Sequence, residues 1–252
     1  MTTHMVTDPD AIRDVLACDL AVPPHRPGDG AALELRAAMA RFAVPAEHGP
    51  RRASVEEVLA ELDVTEVREL AGRAAEDEFV RIGDAVELGR MVPVRVLLAA
   101  LGLVPIDDAA AGEAAGADVD AIAAVIGRGA EPNAAADAAA ERLLALAGAR
   151  GRDPVAVVSV LYQCLDAVAA LITTTLHARA RGAARVAAVQ RTMRVAVEPF
   201  DVGGLPVAAG DVLELAIGEA GLEFGAGPHA CPGRQLAEAI AAEVVAAIEA
   251  LP

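Results

Sequence analysis

Phe224-Gly-Ala-Gly-Pro-His-Ala-Cys231-Pro-Gly233 is the stretch on which the reading of this chain turns. It opens an alanine-rich segment of helical pattern that runs almost to the C-terminus. At this chain's own Phe, Gly and Cys frequencies, a chance match to the four fixed positions of F-x-x-G-x-x-x-C-x-G is roughly one in several thousand. The residue types share a chemical purpose. A cysteine at the first turn of a helix faces unpaired N–H groups and the positive end of the dipole, both of which favour thiolate. Gly225, Gly227 and Gly233 allow a tight backbone that brings N–H donors to sulfur and lets the chain approach a bound group closely. Two plainer readings stand beside this one. Cys231 is an inert thiol in a glycine-rich turn, or His229-x-Cys231 is half of a metal site. The second lacks partners, because Cys18 and Cys164 lie far away without ligand spacing.

At 252 residues the chain is long enough to bury a sizeable core. Apolar residues make up 55% but aromatic ones only 2%, with no Trp and a single Tyr, so alanine-mediated helix packing is expected rather than aromatic-rich sheets. A net charge of −16 opposes binding to nucleic-acid phosphates. Despite a positive mean hydropathy, charges or prolines interrupt the apolar stretches, and no membrane span is expected. The N-terminus has no basic segment of a secretory signal. Three scattered cysteines suggest no disulfide framework, and a free thiolate suits a reducing cytoplasm. Arg179, Arg181, Arg185, Arg191 and Arg194 crowd into sixteen residues. They read either as solvated charge or as contacts to an anion.

Along the chain, Asp8-Pro9 starts a short helix, and residues 22–30 form a loop. Helix follows over Ala31 to Phe42, then over Pro50 to Leu62, then from Val64 to about Glu87 with a break near Gly83. Met91 to Leu101 is a buried apolar segment. Ala109 to Ile126 and Ala134 to Ala149 are further helices. Asp153-Pro154 caps the longest apolar helix, Val155 to about Ala180. Beyond Arg194 the pattern turns strand-like, with a hairpin at Gly203-Gly204 and a turn at Ala209-Gly210-Asp211. The final helix buries Leu236, Ile240, Val244, Val245 and Ile248. The expected class is mainly α with a small β portion, in one compact domain: helical over 1–185, β over 186–217, and loop plus helix over 224–251.

The decapeptide resembles the cysteine-ligand loop of the cytochrome P-450 superfamily, and the resemblance extends in order across most of the chain. It implies haem b (iron protoporphyrin IX) with Cys231 as the axial ligand of its iron, in a loop built on Phe224, Gly227, His229 and Gly233. Thiolate ligation pushes electron density onto iron and favours O–O cleavage. His48-Gly-Pro-Arg51-Arg52 resembles the family's H-x-x-x-R pattern, which implies propionate contacts from His48 and Arg52. Val189 to Arg194, followed by Glu198, is similar to the family's strand segment and puts Arg194 at another propionate position, with His229 as a fourth. The 155–180 helix resembles the one that crosses the distal haem face. In one register Asp166 takes the acid position, Val168 replaces the usual Thr, and Gln163 replaces a small residue. In another, Ala169-Ala170 mark the groove, Ile172 replaces the acid, and Thr173-Thr174 supply the alcohol. An Asp buried in a helix is costly unless bonded or functional.

Departures from the family are large. The positions of its E-x-x-R pair read Arg181-Gly-Ala-Ala184, and only Gly218 to Glu223 stands where a long meander is usual. The chain resembles a compacted relative: a reduced fold of this kind. The resemblance implies a haem-thiolate enzyme of bacterial secondary metabolism, acting on a small or carrier-tethered substrate. The reaction is oxidative (monooxygenase- or peroxygenase-like, driven by ferredoxin and reductase or by peroxide) or a haem-dependent rearrangement or dehydration. With Val168 in place of Thr, chemistry needing little proton delivery fits better. Alternatives are a non-catalytic scaffold for a biosynthetic enzyme and a haem-binding sensor. A homodimer would cover apolar surface left by the missing segments.

Overall fold

The computed structural model describes residues 1–82 and 85–250, the side chains of residues 79–88 excepted. The expected break near Gly83 lies outside the described residues. In chain order the elements are β1 (Thr3–Val6), α1 (Pro9–Ala17), β2 (Ala21–Val22), α2 (Ala31–Ala38), a 3-10 turn (Ala40–Phe42), α3 (Pro45–Ala60), α4 (Val64–Ile82), α5 (Ala85–Ala100), α6 (Ala109–Ile126) and α7 (Ala134–Gly148). Then come α8 (Pro154–Arg181), β3 (Thr192–Ala196), β4 (Phe200–Val202), β5 (Leu205–Val207), β6 (Val212–Leu215), a second 3-10 turn (Gly227–His229) and α9 (Arg234–Glu249). The mainly-α class with a small β portion holds. The N-terminal portion, however, contributes two strands as well as helices.

Local signals set the helix ends. Asp8 accepts hydrogen bonds from the Asp10 and Ala11 N–H groups at the start of α1, and Asp153 does the same for Val155 and Ala156 at the start of α8. Gly182 closes α8 in the left-handed region, φ 57°. The Ala31–Phe42 helix is in fact split, because Met39 takes extended angles between α2 and the 3-10 turn. α3 begins at Pro45 rather than at Pro50, which is the sixth residue of the helix and leaves the Ala46 carbonyl without its i+4 N–H donor. α5 reaches back to Ala85.

β1, β6, β3 and β2 form one sheet in that order. β1 runs parallel to β6, pairing Thr3 with Val212 and Val6 with Leu215. β3 is antiparallel to both β6 and β2. Asp211 clamps the β1 end of the sheet: its carboxylate accepts from the Thr2 N–H (2.6 Å) and the Ala208 N–H (3.2 Å) and lies 3.0 Å from His4 Nε2. β4 and β5 form the separate hairpin expected at Gly203-Gly204, both glycines having positive φ.

Apolar side chains gather in two clusters. One joins α2 to α9, and the other packs α1 against the sheet. α8 runs through the first, with Val157, Val158, Leu161, Leu165 and Ile172 almost fully covered. It corrects the expectation that no stretch is apolar enough for a membrane span. By length and composition α8 qualifies, but 67% of its most apolar stretch is buried inside the fold, as in the core helix of a globular protein.

Candidate active site

The loop of residues 224–233 is wound by its own backbone. The Gly225 N–H donates to the Leu222 carbonyl (2.7 Å), the Cys231 N–H to the Phe224 carbonyl (2.7 Å), and the His229 N–H to the Ala226 carbonyl (3.1 Å). Gly225 has φ +73°, and a Cβ there would collide with the His229 carbonyl oxygen, so only glycine fits. Gly227 also has positive φ. Gly233 differs from expectation: at φ −94° with ordinary contacts around it, its conformation does not require glycine. Its contribution is its backbone N–H, directed at the Cys231 sulfur from the start of α9. Phe224 packs against the helical core while the Arg234 guanidinium lies 4.7 Å from its ring centroid.

The base of the loop is tied to the linker after α8. Residues 183–191 contain no helix, and Arg185 from this linker forms a two-pronged ion pair with Glu223, its Nη1 3.0 Å from Oε2. The Ala188 N–H donates to the same carboxylate at 2.6 Å. The missing E-x-x-R pair therefore does not leave the loop untethered. Three of the clustered arginines are spent on such pairs: Arg179 with Glu249, Arg185 with Glu223, and Arg191 with Glu214.

Cys231 opens onto a cavity of about 650 Å³ at the seam between the two clusters. Leu16, Val189 and Ile217 line it from the sheet side, and Val168, Leu236 and Ile240 from the helical side. Burial pushes the Cys231 thiol upward, opposed by the Gly233 N–H and by Arg52, Arg41 and Arg234.

The four expected propionate ligands, His48, Arg52, Arg194 and His229, converge beside the thiol. His48 and His229 stack with ring centroids 4.4 Å apart. Arg52 donates to the Ala230 carbonyl (2.6 Å) and to Glu56 (2.6 Å), bracing α3 against the loop. Arg194 is only 7% exposed. Its Nη1 donates to the Met193 carbonyl at 2.9 Å, and its Nε is buried without an acceptor. Burial, with Arg41 nearby, pushes the Arg194 pKa down to about 10. Burial and the positive charge of Arg194 bring His229 down to about 4, and His48 is lowered by burial, Arg52 and Arg194. Both shifts favour uncharged imidazoles, so the positive potential at this wall of the cavity comes from Arg52 and Arg194.

α8 presents Val160, Gln163, Cys164, Ala167, Val168 and Leu171 to the cavity. The Gln163 amide donates back to Ser159, 2.9 Å to its hydroxyl. Asp166 is a correction. It is not buried and does not line the cavity; its side chain is 51% exposed, 3.7 Å from Arg90 and 3.6 Å from Arg128. The helical period turns position 166 away from the face shared by 160, 163, 167 and 171. The alternative register fares no better: Ile172, Thr173 and Thr174 are off the cavity, and the Thr174 hydroxyl bonds the Ala170 carbonyl of its own helix. Arg36, Arg41 and Tyr162 line the cavity and escaped the sequence reading. Nothing in a single helix or turn marks them.

No protein-family profile and no curated protein matches the sequence. Solved structures do. CalO2 is 22% identical with a TM-score of 0.73, over 98% of this chain and 83% of that one. Substrate-free CYP109E1 from Bacillus megaterium is 18% identical with a TM-score of 0.71, over 97% and 83%. P450BioI, solved with an acyl carrier protein bearing hexadec-9Z-enoic acid, is 15% identical with a TM-score of 0.70, over 97% and 84%. The chain has the cytochrome P450 fold, in reduced form.

The site also meets the demands of a haem on its own chemistry. A thiol faces the cavity beneath a helix N-terminus, the Nε of a buried guanidinium lacks an acceptor, and a glycine turn excludes any side chain.

Proposed function

We propose that this chain is a haem-thiolate enzyme, with Cys231 holding the iron of haem b and His48, Arg52, Arg194 and His229 holding its propionates. The observation that carries this reading is Arg194: a guanidinium 93% buried, with an unbonded Nε, beside two stacked histidines and a cavity-facing thiol. Such a cluster is unfavourable by itself and complementary to a bound dianion. When bound, a thiolate-ligated haem supplies O–O bond cleavage or rearrangement chemistry. The protein would hold the thiolate with the Gly233 N–H, neutralise the propionates, and keep water out with the apolar face of α8.

That face offers no carboxylate and no aliphatic hydroxyl, since position 168 is valine and Asp166 points elsewhere. This favours peroxide-driven oxidation, or a rearrangement or dehydration, over oxygen activation that depends on a proton relay. A carrier-tethered substrate is supported by the P450BioI complex with its acyl carrier protein. The same missing relay also suits a non-catalytic partner of another enzyme.

The test is the spectrum of the reduced, carbon monoxide-bound protein expressed with haem supply. A long-wavelength Soret band that disappears in Cys231→Ala is the expected result. A wild-type protein that takes up no haem would leave the partner reading in its place. Turnover with peroxide, compared with a ferredoxin and reductase, then separates the oxidant routes.

A further inference from the structure

The α2 side of the cavity holds a second buried cation that the haem reading does not use. Asp137 of α7 accepts the Ala32 N–H at 3.0 Å and anchors the start of α2, where Gly30 at φ +109° leaves the carboxylate its space. One turn further along, Arg36 turns inward. It is 9% exposed and lines the cavity. Its guanidinium lies 4.0 Å from the Phe42 ring centroid, and Nη2 donates to the Pro24 carbonyl at 2.8 Å. Its Nε is buried with no acceptor.

The groups facing Arg36 are Arg26, Arg41 and the Tyr162 phenol. Arg26 is already engaged with the Val125 and Ala130 carbonyls. Among the described residues no carboxylate pairs with Arg36. Burial of a guanidinium without a countercharge is unfavourable, and here it lowers the Arg36 pKa. Stacking on Phe42 and the single bond to Pro24 hold it in place without neutralising it. What remains is an oriented fork of donors, the geometry that matches a carboxylate or a phosphate. The electrostatic neighbours of Arg36 differ from those of the propionate cluster, where His229 feels Arg194, His48 and Arg52; only Arg41 is close to both groups. The α8 wall of the same cavity is mostly apolar, with Val160, Ala167, Val168 and Leu171 around Gln163.

We infer that the α2 end of the cavity is an anion-recognition site in which Arg36, flanked by Arg41 and Tyr162, takes the carboxylate or phosphate of an organic substrate whose apolar body lies along α8. The assignment of that anion as a substrate group rests on the haem-thiolate reading; the anion site itself does not. Arg36 here is a specificity-determining residue.

Tyr162 is the only tyrosine in a chain without tryptophan, so its emission reports binding at this end without haem. The experiment titrates octanoate, octyl phosphate, octanol and inorganic phosphate into haem-free protein by tyrosine emission, and into haem-loaded protein by the Soret shift. The expected result is at least tenfold tighter binding of octanoate or octyl phosphate than of octanol. The preference should vanish in Arg36→Met while haem uptake is unchanged, and the tighter of the two anions names the source. Equal binding of octanol and the anions overturns the proposal in wild-type protein alone, whether or not any variant folds. Inorganic phosphate binding as tightly as octyl phosphate also overturns it, since the tail would then contribute nothing. So does an Arg36→Met protein that keeps the preference, or one that loses haem uptake as strongly as Arg194→Met. If the wild type shows the preference but binds no haem, the anion site stands and the haem reading falls.

Discussion

Arg194→Met should stabilise the haem-free protein and weaken haem binding, two effects of opposite sign from one substitution. Arg194 is 7% exposed and its pKa is lowered from 12.5 to about 10, chiefly by burial. At about 1.4 kcal/mol per unit, keeping the guanidinium charged costs the fold on the order of 3 kcal/mol. For a base whose folded pKa lies below its unfolded one, that cost is in force at every pH below about 10 and is relieved only as pH rises beyond it. Methionine fills similar space without charge. It forfeits the bond to the Met193 carbonyl, a loss of about 1 kcal/mol. The balance is a gain of about 2 kcal/mol, or roughly 4–8 °C in Tm for a chain of this length. In the loaded protein the same change removes a charge-assisted bond to a propionate, worth about 1.5–3 kcal/mol, or roughly 10- to 100-fold in haem affinity. Thermal melts followed by circular dichroism and haem titrations followed at the Soret band measure the two. A haem-free variant that melts below wild type, or one that binds haem equally well, would refute the reasoning that Arg194 is an uncompensated cation held for an anion.

Gly225→Ala places a Cβ against the His229 carbonyl oxygen at φ +73°, and should cost at least about 1–3 kcal/mol of stability together with most haem loading; a melt and loading equal to wild type would mean that the turn is not constrained. Glu223→Gln breaks the pair with Arg185 and should lower stability by about 1–2 kcal/mol, with a loss of the long-wavelength carbon monoxide band exceeding any loss of total haem. Asp211 is held down to about 2 by His4 and the Thr2 N–H, so its stabilisation is complete above about pH 4 and disappears as pH falls toward 2; Asp211→Asn should be the less stable protein at pH 7 and lose less on acidification, and parallel acid curves for the two proteins would contradict this. Val168→Thr puts a hydroxyl on the cavity face of α8, and if proton delivery limits turnover with a ferredoxin and reductase, that activity should rise while peroxide-driven turnover changes little.

Signals carried within a few residues were legible in the sequence. Asp8 and Asp153 mark helix starts because a side-chain oxygen near an N-terminus finds free N–H groups in any context. The Gly203-Gly204 hairpin and the glycine-rich cysteine loop follow from backbone angles that other residues avoid. Cys231 and His229 stand in that loop, whereas the expected propionate contacts of His48, Arg52 and Arg194 rest on the family resemblance and not on local geometry. α8 shows the limit. A helix apolar on nearly every face has no stripe to fix its rotation, so Asp166 could be put at the cavity when it stands among Arg90, Asp120 and Arg128 outside it.

Sequence alone determined the fold class, the hairpin and the thiol-bearing loop, because each depends on local conformational preference and spacing. Only the tertiary structure decided the parallel pairing of β1 with β6, the tether between Arg185 and Glu223, and the inward turn of Arg36. Each of these depends on which distant segments meet and on how much water they exclude. Whether an arginine is solvated charge or a buried, waiting cation is a property of its surroundings, and those surroundings come from segments far apart along the chain.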